Sequence, residues 1–150
     1  KKRKELRIEI EKNAIAWAVG ICSPLEIDEI NILNASFLAI HKALDQINAP
    51  FEHILVDGNR FHAYKEIQHT WVIKGDGKYQ SIAAASILAK EHRDDLMRDL
   101  DQKNPGYAWN KNKGYPTKHH RDSIKKLGVT EHHRLSFQLL PFVQTELEFD

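Results

Sequence analysis

Two aspartates stand just past the ends of short apolar runs. His53 to Val56 leads into Asp57-Gly58-Asn59, and Trp71 to Ile73 leads into Lys74-Gly75-Asp76-Gly77. Carboxylates delivered at glycine-flanked strand ends are oxygen ligands for a hard cation such as Mg²⁺. Two such ions roughly 4 Å apart activate a water and stabilise the leaving oxygen of a phosphodiester. The competing reading is a pair of turn aspartates, because Asp and Gly are ordinary turn residues. Phosphodiester sites use three or four carboxylates. The next acids, Asp94 and Asp95, fall several helical turns from Asp76 and read as charge on an exposed helix face. Zinc is disfavoured, since neither C-x₂-C nor H-x₃-H spacing accompanies Cys22 or the doublets His119-His120 and His132-His133. Gly75-Asp76-Gly77-Lys78 lacks the spacing of a phosphate loop.

A second constellation is the loop Lys111-Asn112-Lys113-Gly114-Tyr115-Pro116-Thr117. It mixes cations with an aromatic and opens a helix. Lys113 suits a phosphate, and Tyr115 suits a sugar or base. The helix end at Thr117 offers backbone N–H groups to an anion. The alternative is an ordinary loop with a packed tyrosine.

These residues need a scaffold. Strands alternating with helices predict an α/β layer fold. Lys1 to Asn13 reads as a helix, and the apolar run Ala14 to Ile21 as a buried strand. Ser23-Pro24-Leu25-Glu26 is a capping box with proline in the first turn. The stripe Ile27, Ile30, Leu33, Phe37, Ile40, Leu44, Ile47 makes a long helix with a break near Asn31 to Asn34. Strands follow at His53 to Val56 and Trp71 to Ile73, joined by a connection long enough for a parallel crossover. The small-residue helix Ser81 to Lys90 sits close on the sheet. Its charged second half, His92 to Gln102, is exposed, with Leu96 and Leu100 inward. Thr117 caps a last helix that stops at Gly128.

The 150 residues suffice for one domain, with 41% hydrophobic and 29% charged residues as in globular chains. A single cysteine excludes an internal disulfide and fits a reducing compartment, so a cytoplasmic location is expected. Cys22 reads as a buried, inert thiol. No apolar stretch has the length of a membrane span. The net charge of +1 hides a basic first helix, a basic stretch Lys111 to Lys126, and an acidic tail at Glu146, Glu148 and Asp150. A basic stripe beside an acidic metal site suits a polyanionic substrate.

Several segments in order resemble ribonuclease HII. They are AWAVG with SPLEIDEINILNAS, LVDGN at Leu55 to Asn59, KGDGKYQSIAAASILAK at Lys74 to Lys90 with Arg93-Asp94, NKGYPTKHH at Asn112 to His120, and HRLSF at His133 to Phe137. The resemblance implies a ribonuclease H-like fold and an endonuclease using Mg²⁺ or Mn²⁺. Its substrates would be the RNA strand of RNA–DNA hybrids and single ribonucleotides embedded in duplex DNA. Asp57 falls on the family's third acid, Asp76 on its fourth, and Tyr115 on the tyrosine that packs on deoxyribose at the junction. The family's opening motif G-x-D-E-[AV]-G-R-G is not found in this sequence. The chain is therefore expected to lack strands 1 and 2 of a sheet ordered 3-2-1-4-5, and to be inactive alone. The expected layout is a family domain over residues 1–140 with a C-terminal helical segment, then an acidic tail over 141–150. The complete enzyme would be a monomer. Two other readings remain open: a non-catalytic hybrid-binding module of the same fold, and a structural domain whose acids are turn residues.

Overall fold

Helix caps set the boundaries of the chain. The computed structural model describes residues 2–137 and 139–140, so Lys1 and the acidic tail lie outside the described residues. Helix α1 spans Lys2–Asn13. Helix α2, Pro24–Leu44, begins with the predicted capping box: Ser23 Oγ accepts from Glu26 N, and Glu26 accepts from Ser23 N at 2.8 Å. It breaks at Asn31, which has φ 68°, and the Asn31 side chain accepts from the N–H groups of Leu33 and Asn34. A side chain that satisfies orphan donors can restart a helix after a kink.

Strand β1, His53–Asp57, and strand β2, Gln68–Val72, pair in parallel, with His53 opposite Gln68 and Asp57 opposite Val72. β2 thus starts three residues before the predicted run, and Trp71 and Ile73 are exposed. The connection over 58–67 contains no helix, only a bridge between Tyr64 and Ile67. Ile54 and Val56 point inward beside Phe37, Phe61 and Tyr64, forming one core. Burying each large apolar side chain there contributes roughly 1.5–3 kcal/mol.

A 3₁₀ turn at Gly75–Gly77 leads into α3, a single helix over Gln80–Lys103. A short helix α4, Trp109–Asn112, runs into the start of the predicted loop, and α5 spans Lys118–Leu127 with Thr117 as its cap and Gly128 after its end. Trp109 is buried with Tyr107 and Ile124 in a second core, against Met97 and Leu100 of α3. Beyond Leu127 the described residues form turns rather than a helical segment. There the Asp28 carboxylate accepts from Leu135 N, Ser136 N and Ser136 Oγ, pinning the turn to the start of α2.

Several expectations need correction. Ala14 to Ile21 forms no strand; most of it is exposed, with Ile15 at 97%. Apolar composition favours a strand, but a strand needs a partner to complete its ladder, and among the described residues no strand lies beside this one. Instead the segment lies extended along α2 and the turn after it, where Lys42 Nζ donates to Ile21 O and Gln46 Nε2 to Val19 O. Leu96 is exposed, while Leu100 four residues on is covered by the Trp109 core. The second half of α3 is not simply a solvated face, because α1 packs along it. Arg3 pairs with buried Glu91 at 3.1 Å and with Asp94 at 3.2 Å; Arg7 pairs with Asp95; and His92 meets Glu11 at 3.1 Å. Cys22 is half-buried rather than buried, its thiol directed at Ala35 O, and burial pushes its pKa up.

One face stays uncovered by the described residues. Between the extended segment and β1, over α2 and α3, runs an apolar slot of about 850 Å³ lined by Ala16, Val19, Ala43, Leu55, Ile82 and Ala85 among others. Among the described residues β1 pairs with β2 alone, so its other edge borders this slot.

The second core carries an acid-sensitive element. His120 and His133 are buried with their rings stacked, centroids 5.4 Å apart and planes 10° from parallel. Thr130 N donates to His133 Nδ1, which must therefore be unprotonated. Burial pushes both pKa values below the ordinary 6.5. The unfolded chain then takes up protons below about pH 6.5 that the folded chain resists. Stability from this pair is complete above that pH and is lost as pH falls through the depressed values. The urea midpoint should drop between pH 7.5 and pH 5.5 in the native chain and drop less in His133→Phe. Equal midpoints at both pH values would contradict the assignment.

Candidate metal and nucleic-acid site

The alternation of β1 puts Ile54 and Val56 inward and His53, Leu55 and Asp57 outward. Asp57 is the last residue of the strand, and Gly58 N continues the pairing by donating to Val72 O at 3.1 Å. Gly58 has φ 142°, a backbone that side chains rarely allow. β2 ends at Val72, and Lys74 turns the chain with φ 54° into Gly75–Gly77, where Asp76 is exposed. Since the strands are parallel neighbours, Asp57 and Asp76 emerge at the same end of the sheet. A direct bond ties the two ends: Gly75 N donates to Asp57 Oδ1 at 2.8 Å. Gly75 is buried, and a Cβ on it would come within 2.6 Å of Ile82 Cδ1 and 3.4 Å of Asp57 Oδ1. A side chain at this position would therefore crowd both Ile82 and the Asp57 carboxylate.

The donor set suits a hard cation only in part. The Gly75 bond engages one carboxylate oxygen of Asp57 and leaves the other to a cation, and Asp76 follows Gly75 directly in the chain. Among the described residues no group of three or more His, Cys, Asp or Glu is arranged to hold a metal. Asp94 and Asp95 are committed to cations of α1, α3 and the loop. Mg²⁺ tolerates such a set, because it keeps several waters and binds through one or two carboxylates plus substrate phosphates. Asp57 and Asp76 at one sheet end match the number of carboxylates such an ion takes from protein.

The basic loop is held on α3. Lys113 Nζ lies 3.7 Å from Asp94 Oδ1, and its main-chain oxygen accepts from Arg93 Nη2 at 2.9 Å. Lys113 is thus partly neutralised rather than free. Tyr115 is 68% exposed, so the packed-tyrosine alternative does not hold. The Thr117 hydroxyl accepts from His120 N and serves as the α5 cap. Lys113, Tyr115 and Thr117 therefore share one loop, while Asp57 and Asp76 share the sheet end. Arg93 lies thirteen residues into α3 from Gln80, or roughly 20 Å along the helix.

Two cations were not singled out by spacing. Burial, and after it the nearby charge of Arg93, pushes the Arg134 pKa down. The Arg134 guanidinium sits 3.8 Å from the Phe137 ring centroid. Only their segments, RD and HRLSF, hinted at a role; their proximity comes from the fold.

The family model described as Ribonuclease HII matches residues 1–140. The chain belongs to the ribonuclease HII family. It is 61% identical over 149 residues to "Ribonuclease HII" of Bacteroides thetaiotaomicron, covering 99% of this chain and 74% of that protein. To the protein of that name from Parabacteroides distasonis it is 62% identical over 141 residues, covering 94% and 71%. To the one from Porphyromonas gingivalis it is 52% identical over 138 residues, covering 92% and 69%. Ribonuclease HII is a divalent-metal-dependent endoribonuclease family acting on nucleic acid, and hydrolase, nuclease and ribonuclease H describe this chain. The mixed helices and parallel strand pair agree with that family's α/β character. No described helix is long and apolar enough to cross a membrane.

Proposed function

We propose that this chain carries part of the site of an endonuclease that cuts RNA strands in RNA–DNA hybrids and at single ribonucleotides within duplex DNA. The observation that carries the reading is the pair Asp57 and Asp76 at one end of two parallel strands, in a ribonuclease HII chain. Mg²⁺ or Mn²⁺, when bound, would supply a Lewis acid that polarises the phosphate and eases loss of the leaving oxygen. Asp57 and Asp76 would hold it. The Gly75 N–H fixes the Asp57 carboxylate in advance, which lowers the cost of ordering it on binding. Tyr115 would set its exposed ring on a sugar at the junction. Lys113 would contact a phosphate, exchanging Asp94 for it. The α5 end at Thr117 would add backbone N–H groups toward the same backbone.

In this reading residues 1–140 are the family domain without its N-terminal strands, part of a cytoplasmic monomer when complete, with the acidic tail over 141–150 outside it. The test compares the 150-residue chain with one extended to the length of its relatives, using a labelled hybrid and a duplex with one ribonucleotide. The short chain should bind hybrid without cutting it; the extended chain should cut both with Mg²⁺ or Mn²⁺ and not in EDTA. Within the extended chain, Tyr115→Phe should keep most activity, and Tyr115→Ala should cost about 1–3 kcal/mol of substrate interaction. Robust cleavage by the short chain would overturn the view that it holds only part of the site. Binding without cleavage by the extended chain would favour a hybrid-binding module, and no binding by either a structural domain.

A further inference from the structure

Arg93 has acids as neighbours on α3 but does not pair with them. Asp94 is taken by Arg3 at 3.2 Å and faces Lys113 Nζ at 3.7 Å, while Asp95 is taken by Arg7 and Arg98. Arg93 instead donates from Nη2 to the Lys113 main-chain oxygen at 2.9 Å. That oxygen belongs to an unusual turn. Lys113 has φ 54° and ψ 29°, and Gly114 has φ 79°, so two successive residues are left-handed. A lysine disfavours that region because of its Cβ, and such a conformation persists only where its surroundings hold it.

Asn112 holds the turn from within. Its Oδ1 accepts from Gly114 N, and its main-chain oxygen accepts from Tyr115 N, both at 2.9 Å. Asn112 Nδ2 is itself anchored on Tyr107 O at 2.7 Å. These bonds fix the turn's own shape. Arg93 is the one hydrogen bond that fastens the turn to α3 among the described residues, and Asp94 adds an ion pair on the same side. Gly114 lies flat on α3 there: a Cβ would come within 3.2 Å of Met97 Cε. Residues 93, 94 and 97 share one helix face, and Tyr115 projects from the turn they carry.

We infer that Arg93 is a positioning residue for Tyr115, fixing the Lys113–Gly114 turn against α3 so that the exposed ring is presented in one orientation. The inference rests on the proposed role of Tyr115 in substrate binding. Arg93 acts through a carbonyl, so removing it loosens the turn while the substrate keeps every group it touches. A phosphate-binding arginine would behave differently. Its removal leaves one phosphate un-neutralised, so fewer counterions are released and binding depends less steeply on salt.

The experiment is a double-mutant cycle in the chain extended to the length of its relatives, with Arg93→Met and Tyr115→Ala. Hybrid affinity is read by anisotropy at several salt concentrations without metal. Arg93→Met should weaken binding by about threefold or more with an unchanged salt slope, and should add almost nothing in the Tyr115→Ala background. Amide exchange at Gly114 and Tyr115 should accelerate by about tenfold in Arg93→Met, in the 150-residue chain as well. Additive losses with a salt slope reduced by about one would overturn positioning in favour of direct phosphate binding. If Tyr115→Ala weakens binding and Arg93→Met changes neither binding nor exchange, the inference fails while the proposed function stands. If Tyr115→Ala is neutral, the tyrosine's substrate role fails and the inference fails with it.

Discussion

Asp76→Asn should lower hybrid cleavage by at least about a hundredfold in the extended chain while changing metal-free hybrid affinity by less than about threefold. The substitution keeps size and removes the formal charge that a hard cation requires. Asp76 stands exposed in the 3₁₀ turn, so the fold has little to lose. Asp57→Asn should cost as much turnover, with an added structural signature. The Asp57 carboxylate also accepts the Gly75 N–H, and an amide flipped the wrong way would present donors to that N–H. A small fall in melting temperature should therefore accompany Asp57→Asn and be absent in Asp76→Asn. The measurements are single-turnover cleavage with Mn²⁺, binding in EDTA, and thermal melts of both variants. Retention of more than about a tenth of the native rate in Asp76→Asn would remove that residue from the metal site.

The 150-residue chain should self-associate at micromolar concentration. Its apolar slot of about 850 Å³ borders an edge of β1 that no described strand covers, and Leu55 on that strand is 36% exposed. Open edges beside apolar surface are templates for intermolecular pairing, and nature blunts them with lysine. Leu55→Lys should raise the concentration at which scattering begins by about tenfold, whereas a lysine at exposed Leu135, away from the slot, should not. Light scattering against concentration decides this. A native chain that stays monomeric at several hundred micromolar would show that the slot closes in solution.

The parts of the fold legible in the sequence are those fixed within a few residues. The Ser23–Glu26 box, the Asn31 break and the Thr117 cap each depend on a side chain reaching a backbone group three positions away or fewer. The placement of Asp57 and Asp76 at or past strand ends was legible for a related reason, since a strand end followed by glycine is a local pattern. The Ala14 to Ile21 segment was not, because whether an apolar run becomes a strand depends on what lies beside it. Leu96 failed similarly: its spacing matches Leu100, but only Leu100 meets the Trp109 core. Glu91 carries no local sign of burial, yet it is 3% exposed and pairs with Arg3 from a helix almost ninety residues earlier. Arg93 and Arg134 belong with these; no local pattern shows an arginine choosing a carbonyl over adjacent aspartates.

The parallel pairing of β1 with β2 has a kinetic consequence. A hairpin can zip from its turn, but two parallel strands joined by a helix-free crossover share no adjacent ends from which to begin. The fifteen-residue offset that puts His53 opposite Gln68 must be closed before the first ladder bond forms. Helices α2 and α3 carry their own nucleation signals or local bonds, so they should gain protection first. The sheet, and with it the Asp57–Gly75 bond, should mature last. In pulse-labelled refolding the Gly75 amide should therefore be among the late ones, later than those of the α2 capping box.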